Sequence, residues 1–268
     1  MPAKLSKLNQ SVEKALQIIE IMMKEPEAMR LQDIALKAEM PPSTALRMIN
    51  TLLVYGYVNQ DPDTLRYSLS LKFAQVGSAV SSRFSLSKIA HPLLVELSQR
   101  CQESCCLAVE ENMELIYTDV VDGPDNMLRI MQRIGKKAPL HSTGIGKLLL
   151  LNYSNRQLNE LIATKGLTAL TPNTLVSREA LVERLEQIRA QGYALDDEEC
   201  ELGARCVAAP VRDYTGKVVA GISISGPVSR LTKERIQVII PVVQETANRI
   251  SKLLAYSEES ETKSPARS

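Results

Sequence analysis

Apolar residues recur at helical spacing through Val12, Ala15, Leu16, Ile18, Ile19 and Met22. They predict a first helix from Ser11, its expected N-cap, to about Lys24, with Pro26 just beyond. Residues 1–9 read as a loose tail. A short helix is expected over 31–37. Pro41 and Pro42 then break the chain, and Pro42 suits the first turn of a third helix, where its missing N–H would have had no helical partner. That helix runs to about Tyr55 and stops at Gly56. Residues 57–59 and 65–68 alternate as strands around Asp61-Pro62-Asp63-Thr64, which supply turn chemistry. Three helices and a two-stranded hairpin predict a winged helix-turn-helix domain over 1–70.

Residues 71–90 are mostly helical in pattern and serine-rich toward the end, which predicts a linker helix. A second domain is expected over 91–256. Its pattern gives a helix over 92–100, paired strands over 105–109 and 115–121 across Glu111-Asn112, and a further strand over 128–134. Helices follow over 144–151, 155–163 and 177–190. Residues 207–211 and 218–225 form a hairpin around Tyr214-Thr215-Gly216, and a last helix covers 232–254. Strands mixed with helices predict an α/β chain of the α+β kind, an antiparallel sheet with helices packed on it. The polar tail 257–268 is expected to be disordered.

Composition works mainly by exclusion. The net charge is +1, so bulk electrostatics lend nothing to nucleic-acid binding, and such a role must rest on pattern. Tryptophan is absent and aromatic residues are scarce, which argues against base stacking. The five cysteines, at 101, 105, 106, 200 and 206, have no paired-thiol metal spacing, so neither a metal nor a cofactor is expected. Reduced thiols, no long apolar run and no leader segment suggest a cytoplasmic chain.

On a helical wheel, Ala45, Leu46, Ile49, Leu52 and Leu53 fall on one side of the third helix. Thr44, Arg47 and Thr51 fall opposite, flanked by Ser43, Met48 and Asn50. Such a rod suits the major groove of DNA. Arg47 can pair with a guanine edge or grip a phosphate, and Ser43 and Thr44 at the helix start suit phosphate. Arg66 on the hairpin is placed as a wing contact. The plain alternative is an amphipathic helix with a solvated face.

Two features of the second domain converge on a small anion. Ser142 and Thr143 are cap candidates, and Gly144 and Gly146 let another group come close to the backbone of a helix start, which favours a carboxylate. Many helices begin this way and bind nothing. In the late hairpin, a loop of 213–216 sets Arg212 opposite Lys217, Cys206 opposite Ser223 and Ala204 opposite Ser225, all on one face. The other face carries Val207, Ala209, Val211, Val218, Ala220, Ile222 and Ile224. The two serines either hold an oxygen-rich ligand or simply face water. The acidic run 196–199 with Glu201 reads as a solvated loop from which one carboxylate can take a ligand hydroxyl. A metal held by Asp196, Cys206 and His141 lacks any ligand spacing.

Three blocks, PSTALRMINTLLVYGYV, RIGKKAPLHSTGIGKLLL and GYALDDEECELGARCVAAPVRDYTGKVVAGISISGP, lie in the order of one family. With the start at Gln10-Ser11-Val12, nearly the whole chain resembles the IclR family of bacterial transcription regulators. The resemblance implies a winged helix-turn-helix, a linker helix and a GAF-like effector-binding domain. It implies homodimers, often dimers of dimers, on palindromic double-stranded operator DNA. It also implies an effector that is a small carboxylate or an aromatic or sugar acid, seated against Met127, Ile130, Gly144, Ile145, Asp196, Ala204, Cys206, Ser223 and Ser225. The chain departs from the family at Glu39, where glycine is common, at Pro42, where a basic residue is common, and at Leu46, where His or Tyr is frequent. These departures bear on which operator is read.

The expected function is a DNA-binding repressor of a catabolic operon, not an enzyme. Two other readings stand beside it. One is a cytosolic enzyme with Cys206 or a serine as nucleophile and His141 as base. The other is a sensor that acts through protein partners without DNA. His91 is expected at a helix start, before Pro92, in a structural role.

Overall fold

In a computed structural model the described residues are 9–81, 85–124 and 132–257, with side chains described outside 77–81. The chain divides into two compact units, residues 1–84 and 85–268.

In the first unit, helix α1 is Gln10–Lys24, α2 is Leu31–Lys37, α3 is Pro42–Val54 and α4 is Lys72–Ser81. Strands β1, Val58–Gln60, and β2, Tyr67–Leu69, form an antiparallel hairpin. The winged helix-turn-helix expectation is met. The cap of α1 is Asn9, whose side chain accepts from the backbone N–H of Ser11 and Val12, so the expected cap Ser11 lies two residues inside. Glu39, between α2 and α3, has φ +49°, the left-handed region that a glycine enters without cost. Ile18, Ile34, Ala45, Ile49, Leu52 and Val58 meet in the core of this unit.

The second unit is built on one six-stranded antiparallel sheet. Its strands are β3 (Ser104–Glu111), β4 (Glu114–Val121), β5 (Lys137–Ala138), β6 (Ala194–Asp197), β7 (Ala204–Arg212) and β8 (Val218–Pro227), in the order β5-β4-β3-β8-β7-β6. Helices α5 (Leu86–Cys101) and α9 (Lys233–Leu253) cover one face. There Leu94, Leu97, Ile236, Val243 and Ile250 bury Leu107, Val207, Ala209, Ile222 and Ile224. The other face carries α6 (Gly144–Leu149), α7 (Asn155–Lys165) and α8 (Arg178–Gln191), packed on Cys106, Ala108, Leu115 and Ala208. Two apolar layers around one sheet explain why β3 and β8 read as nearly continuous apolar runs.

Several expectations are corrected here. A single linker helix over 71–90 does not form, because Ser85 is extended (φ −96°, ψ 117°) and α5 starts at Leu86. Pro92 therefore sits inside a helix, and His91 lies mid-helix with Nδ1 2.9 Å from Asp119 Oδ2. The strand β6 went unforeseen, although Tyr193-Ala194-Leu195-Asp196 follows the left-handed stop at Gly192. Most of the strand expected over 128–134, and all but Ser257 of the tail expected over 257–268, lie outside the described residues. No helix among the described residues is long and apolar enough to cross a membrane.

Candidate functional site

The outer face of α3 is the first candidate. Ser43, Leu46, Arg47, Asn50, Thr51, Val54 and Tyr55 are exposed and line one open surface, following the 3–4 spacing of a single helical stripe. Thr44 is half-buried. Met48, expected on this face, is 7% exposed and belongs to the core, whereas Leu46, expected in the core, is 37% exposed. The buried stripe is Ala45, Met48, Ile49 and Leu52, so the wheel was rotated by about one position. Met48, flexible and unbranched, joins the core of this unit, whose volume a wheel cannot show. Arg47 and Asn50 make no side-chain hydrogen bond with another described residue, and both stay available. Thr51 differs: its hydroxyl donates to Arg47 O at 3.0 Å. Arg66 is half-buried and donates from Nη1 to Ala28 O at 3.0 Å, so part of its guanidinium braces the loop before α2.

A cavity of about 80 Å³ in the second unit is the other candidate. Gly144, Ile145, Asp196, Ala204, Cys206, Ser223 and Ser225 all line it. Met127 and Ile130 lie outside the described residues. The cap residue Thr143 and the acidic Glu201, both singled out in the sequence, also contribute, as do Tyr117, Gln132, Lys136, Cys200 and Arg205, which were not. Tyr117 on β4 and Arg205 on β7 carry no mark distinguishing them from ordinary sheet residues, and Gln132, Lys136 and Cys200 come from segments outside the strands.

The strand register differs from the expected one by two residues. Cys206 faces Ser225, and Ala204 faces Pro227. An irregularity between Val211 and Arg212 makes Arg212 face Val218, with residues 213–217 in the loop. A shift of two keeps side chains on the same face, so the thiol and both hydroxyls still point together. The irregularity also moves Val218 to the cavity side, into the layer with Ala208, against expectation.

The two glycines admit close approach, and the approaching groups belong to the chain itself. A Cβ on Gly146 would lie 2.3 Å from Leu140 O, and one on Gly144 would lie 3.1 Å from Ala208 Cβ. Thr143 caps α6, accepting from Gly146 N at 3.2 Å.

The acidic run is not a solvated loop. Asp196 is 8% exposed, and its Oδ1 accepts from Glu199 N at 2.8 Å and Cys200 N at 3.2 Å. Glu199 is buried against Lys147, a fully buried lysine whose Nζ sits 2.5 Å from Glu199 Oε1. Arg184 approaches the same oxygen at 3.3 Å. Thr171 donates to Glu198 O and Thr174 to Glu199 O, both at 2.6 Å. The segment that edges the cavity is thus held by a buried charge pair and two hydroxyls. Elsewhere on the wall, Gln132 Nε2 donates to Ser225 Oγ at 3.2 Å, while Gln132 Oε1 is buried with no partner.

Burial raises the Asp196 carboxyl to about 6, against the opposing pull of Lys147 and of the two backbone N–H groups. The folded chain therefore holds this proton to a higher pH than the unfolded chain does. The stability it contributes is complete below about pH 4 and is lost as pH rises toward 6, on the order of 3 kcal/mol. Asp196→Asn lacks that loss. Urea unfolding should show the variant gaining on the parent between about pH 4 and 6 and holding its lead above. A constant difference across that range would refute this assignment.

Burial, followed by the Asp196 carboxylate, pushes the Cys206 thiol up to about 12. It is held protonated, the opposite of an activated nucleophile. Burial also lowers His141, and its Nε2 is occupied at 3.1 Å by Thr168 O. The pairing required for a cysteine nucleophile with a histidine base is not assembled. Among the described residues no cluster of three or more His, Cys, Asp or Glu side chains is arranged to hold a metal.

Comparison with known proteins adds independent findings. Residues 11–62 match the IclR helix-turn-helix domain, and residues 78–252 match the C-terminal domain of bacterial IclR transcriptional regulators. The transcriptional regulator XynR of Escherichia coli is 34% identical over 92% of this chain and 98% of its own length. The transcriptional repressor IclR of the same organism is 35% identical over 92% and 90%. The crystal structure of the Thermotoga maritima IclR protein, 35% identical, superposes with a TM-score of 0.61 over 92% of this chain and 99% of that one.

Proposed function

Because this chain belongs to the IclR family and is a DNA-binding transcriptional regulator, we propose that it represses a catabolic operon under the control of a small carboxylate or sugar acid. The domains are taken as 1–70 for DNA, 71–90 as linker and 91–256 for the effector. The regulator works in the cytoplasm as a homodimer, or a dimer of dimers, on palindromic operator DNA. A symmetric protein on a symmetric site doubles the contacts without a second recognition surface. It is not an enzyme.

The observation that carries the effector reading is the cavity between the start of α6 and the β7–β8 hairpin. Ser223, Ser225 and the buried amide oxygen of Gln132 supply hydrogen-bond partners there, and Asp196 adds a carboxylate for a ligand hydroxyl. Lys136 at the mouth gives a cation for the acid end. The repressor reading is supported by relatives named as repressors, among them AllR of Escherichia coli at 33% identity. For the acid to act on DNA, it must bind one arrangement of the domains more tightly than the other.

At low salt a promoter fragment should be retarded on a native gel, and one member of a panel of small carboxylic and sugar acids should relieve the retardation. Ser225→Ala should raise the acid concentration needed by roughly tenfold, the effect of losing one buried hydrogen bond, with DNA affinity unchanged. Absence of retardation would end DNA control. Retardation that no acid relieves, with none of them raising the Tm, would end the effector reading.

A further inference from the structure

The first two turns of α3 expose one large apolar side chain among polar ones. Leu46 lies three residues from Ser43 and four from Asn50, beside Arg47, and all four are exposed. Ser43, Arg47 and Asn50 have no side-chain hydrogen bond to another described residue, so these polar groups are free to meet base edges. Leu46 is not needed by the core, which Ala45, Met48, Ile49 and Leu52 complete without it.

A major groove offers hydrogen-bonding edges to arginine and asparagine, but only one apolar group, the 5-methyl of thymine. We propose that Leu46 is a specificity-determining residue that packs on the 5-methyl group of a thymine in each operator half-site. Its α-carbon stands about 1.5 Å along the helix axis from that of Arg47, less than the ~3.4 Å between successive bases of a strand. A G·C pair read by Arg47 carries no 5-methyl, so the thymine belongs to a neighbouring base pair. Asn50, about 6 Å further along the axis from Leu46, addresses a base one or two steps on, with adenine as its match. The proposal rests on the reading that α3 meets a two-fold operator and is independent of the effector.

Duplexes retained by the full-length chain from a random pool define the half-site. Each thymine in it is then replaced, one at a time, by deoxyuridine, which removes only the methyl group. For the wild-type chain one such replacement per half-site should weaken binding about three- to fivefold, the size of burying one methyl. For Leu46→Ala the same replacement should have no effect, with circular dichroism showing the variant folded at the assay temperature. Leu46 is refuted as the methyl reader if no replacement weakens wild-type binding, or if both proteins lose equally. A wild-type chain that retains no duplex overturns DNA reading as a whole, Leu46 included.

Discussion

Replacing Lys147 with alanine should destabilise the C-terminal unit by about 3–5 kcal/mol, the usual cost of removing one partner from a buried ion pair. Lys147 is among the largest fully buried side chains, and Glu199 opposite it is 3% exposed. Glu199 Oε2 already lacks a hydrogen-bond partner, so loss of the ammonium leaves a buried carboxylate with little compensation. Arg184 at 3.3 Å is the remaining cation, but its side chain is 36% exposed and its charge is correspondingly screened. The double variant Lys147→Met with Glu199→Leu should recover most of the loss, because both charges then leave together. Urea unfolding of the full chain followed by circular dichroism measures both. A single variant as stable as the parent would show that the pair carries no such weight. The same experiment examines the rim of the cavity, since Glu199 N and Cys200 N both bond Asp196.

Arg47→Ala should reduce operator affinity by about 10- to 100-fold while leaving stability unchanged. Arg47 is exposed on α3 and its side chain makes no hydrogen bond to another described residue, while its carbonyl bond from Thr51 survives truncation, so the fold is not expected to lose stability. A bidentate arginine–guanine contact supplies about 1–3 kcal/mol of discrimination. Arg47→Lys separates the two modes of contact. A lysine keeps the charge but not the planar fork, so a phosphate grip would survive it and a guanine reading would not. Gel-shift titrations with specific and scrambled duplexes give the result. Unchanged affinity in Arg47→Ala would favour instead a sensor that acts through protein partners.

Much of the fold was legible in the residues, because local chemistry determined it. The prolines at 41 and 42, the stop at Gly56 and the Asp61 turn mark the ends of elements, and elements with marked ends fell close to where they were expected. Asp61 Oδ1 accepts from Asp63 N and Thr64 N, at 3.1 and 2.7 Å, which is a contact made within four residues. Glu39 differs: its positive φ falls where the family commonly has glycine, but the glutamate itself gives no local sign of that conformation. Where ends were unmarked, prediction slipped. Pro92 looks like a helix start, yet it lies inside α5, and no local signal excludes that.

The site was legible only in part. Alternation places Cys206, Ser223 and Ser225 on one face whether the register is off by zero or by two, since side chains repeat every second residue. The irregularity at Val211 and the displaced Val218 depend on how the loop closes, which no single strand specifies. The exchange of Met48 for Leu46 has a similar cause, since a wheel gives the direction of each side chain but not the volume that neighbouring helices must fill.

The sequence by itself determined the order of most elements, though not β5 or β6, together with the winged helix-turn-helix, the apolar and polar faces of most of the late hairpin and the family. Each of these rests on spacing within a short stretch or on similarity along the chain. Only the tertiary structure decided that an acidic run becomes the wall of a cavity. Asp196 and Glu199 look like surface residues until Lys147, 52 positions before Glu199, is brought against it. A charge can be buried only beside a compensating partner, and that partner is set by folding across distance in the chain, not by neighbours along it.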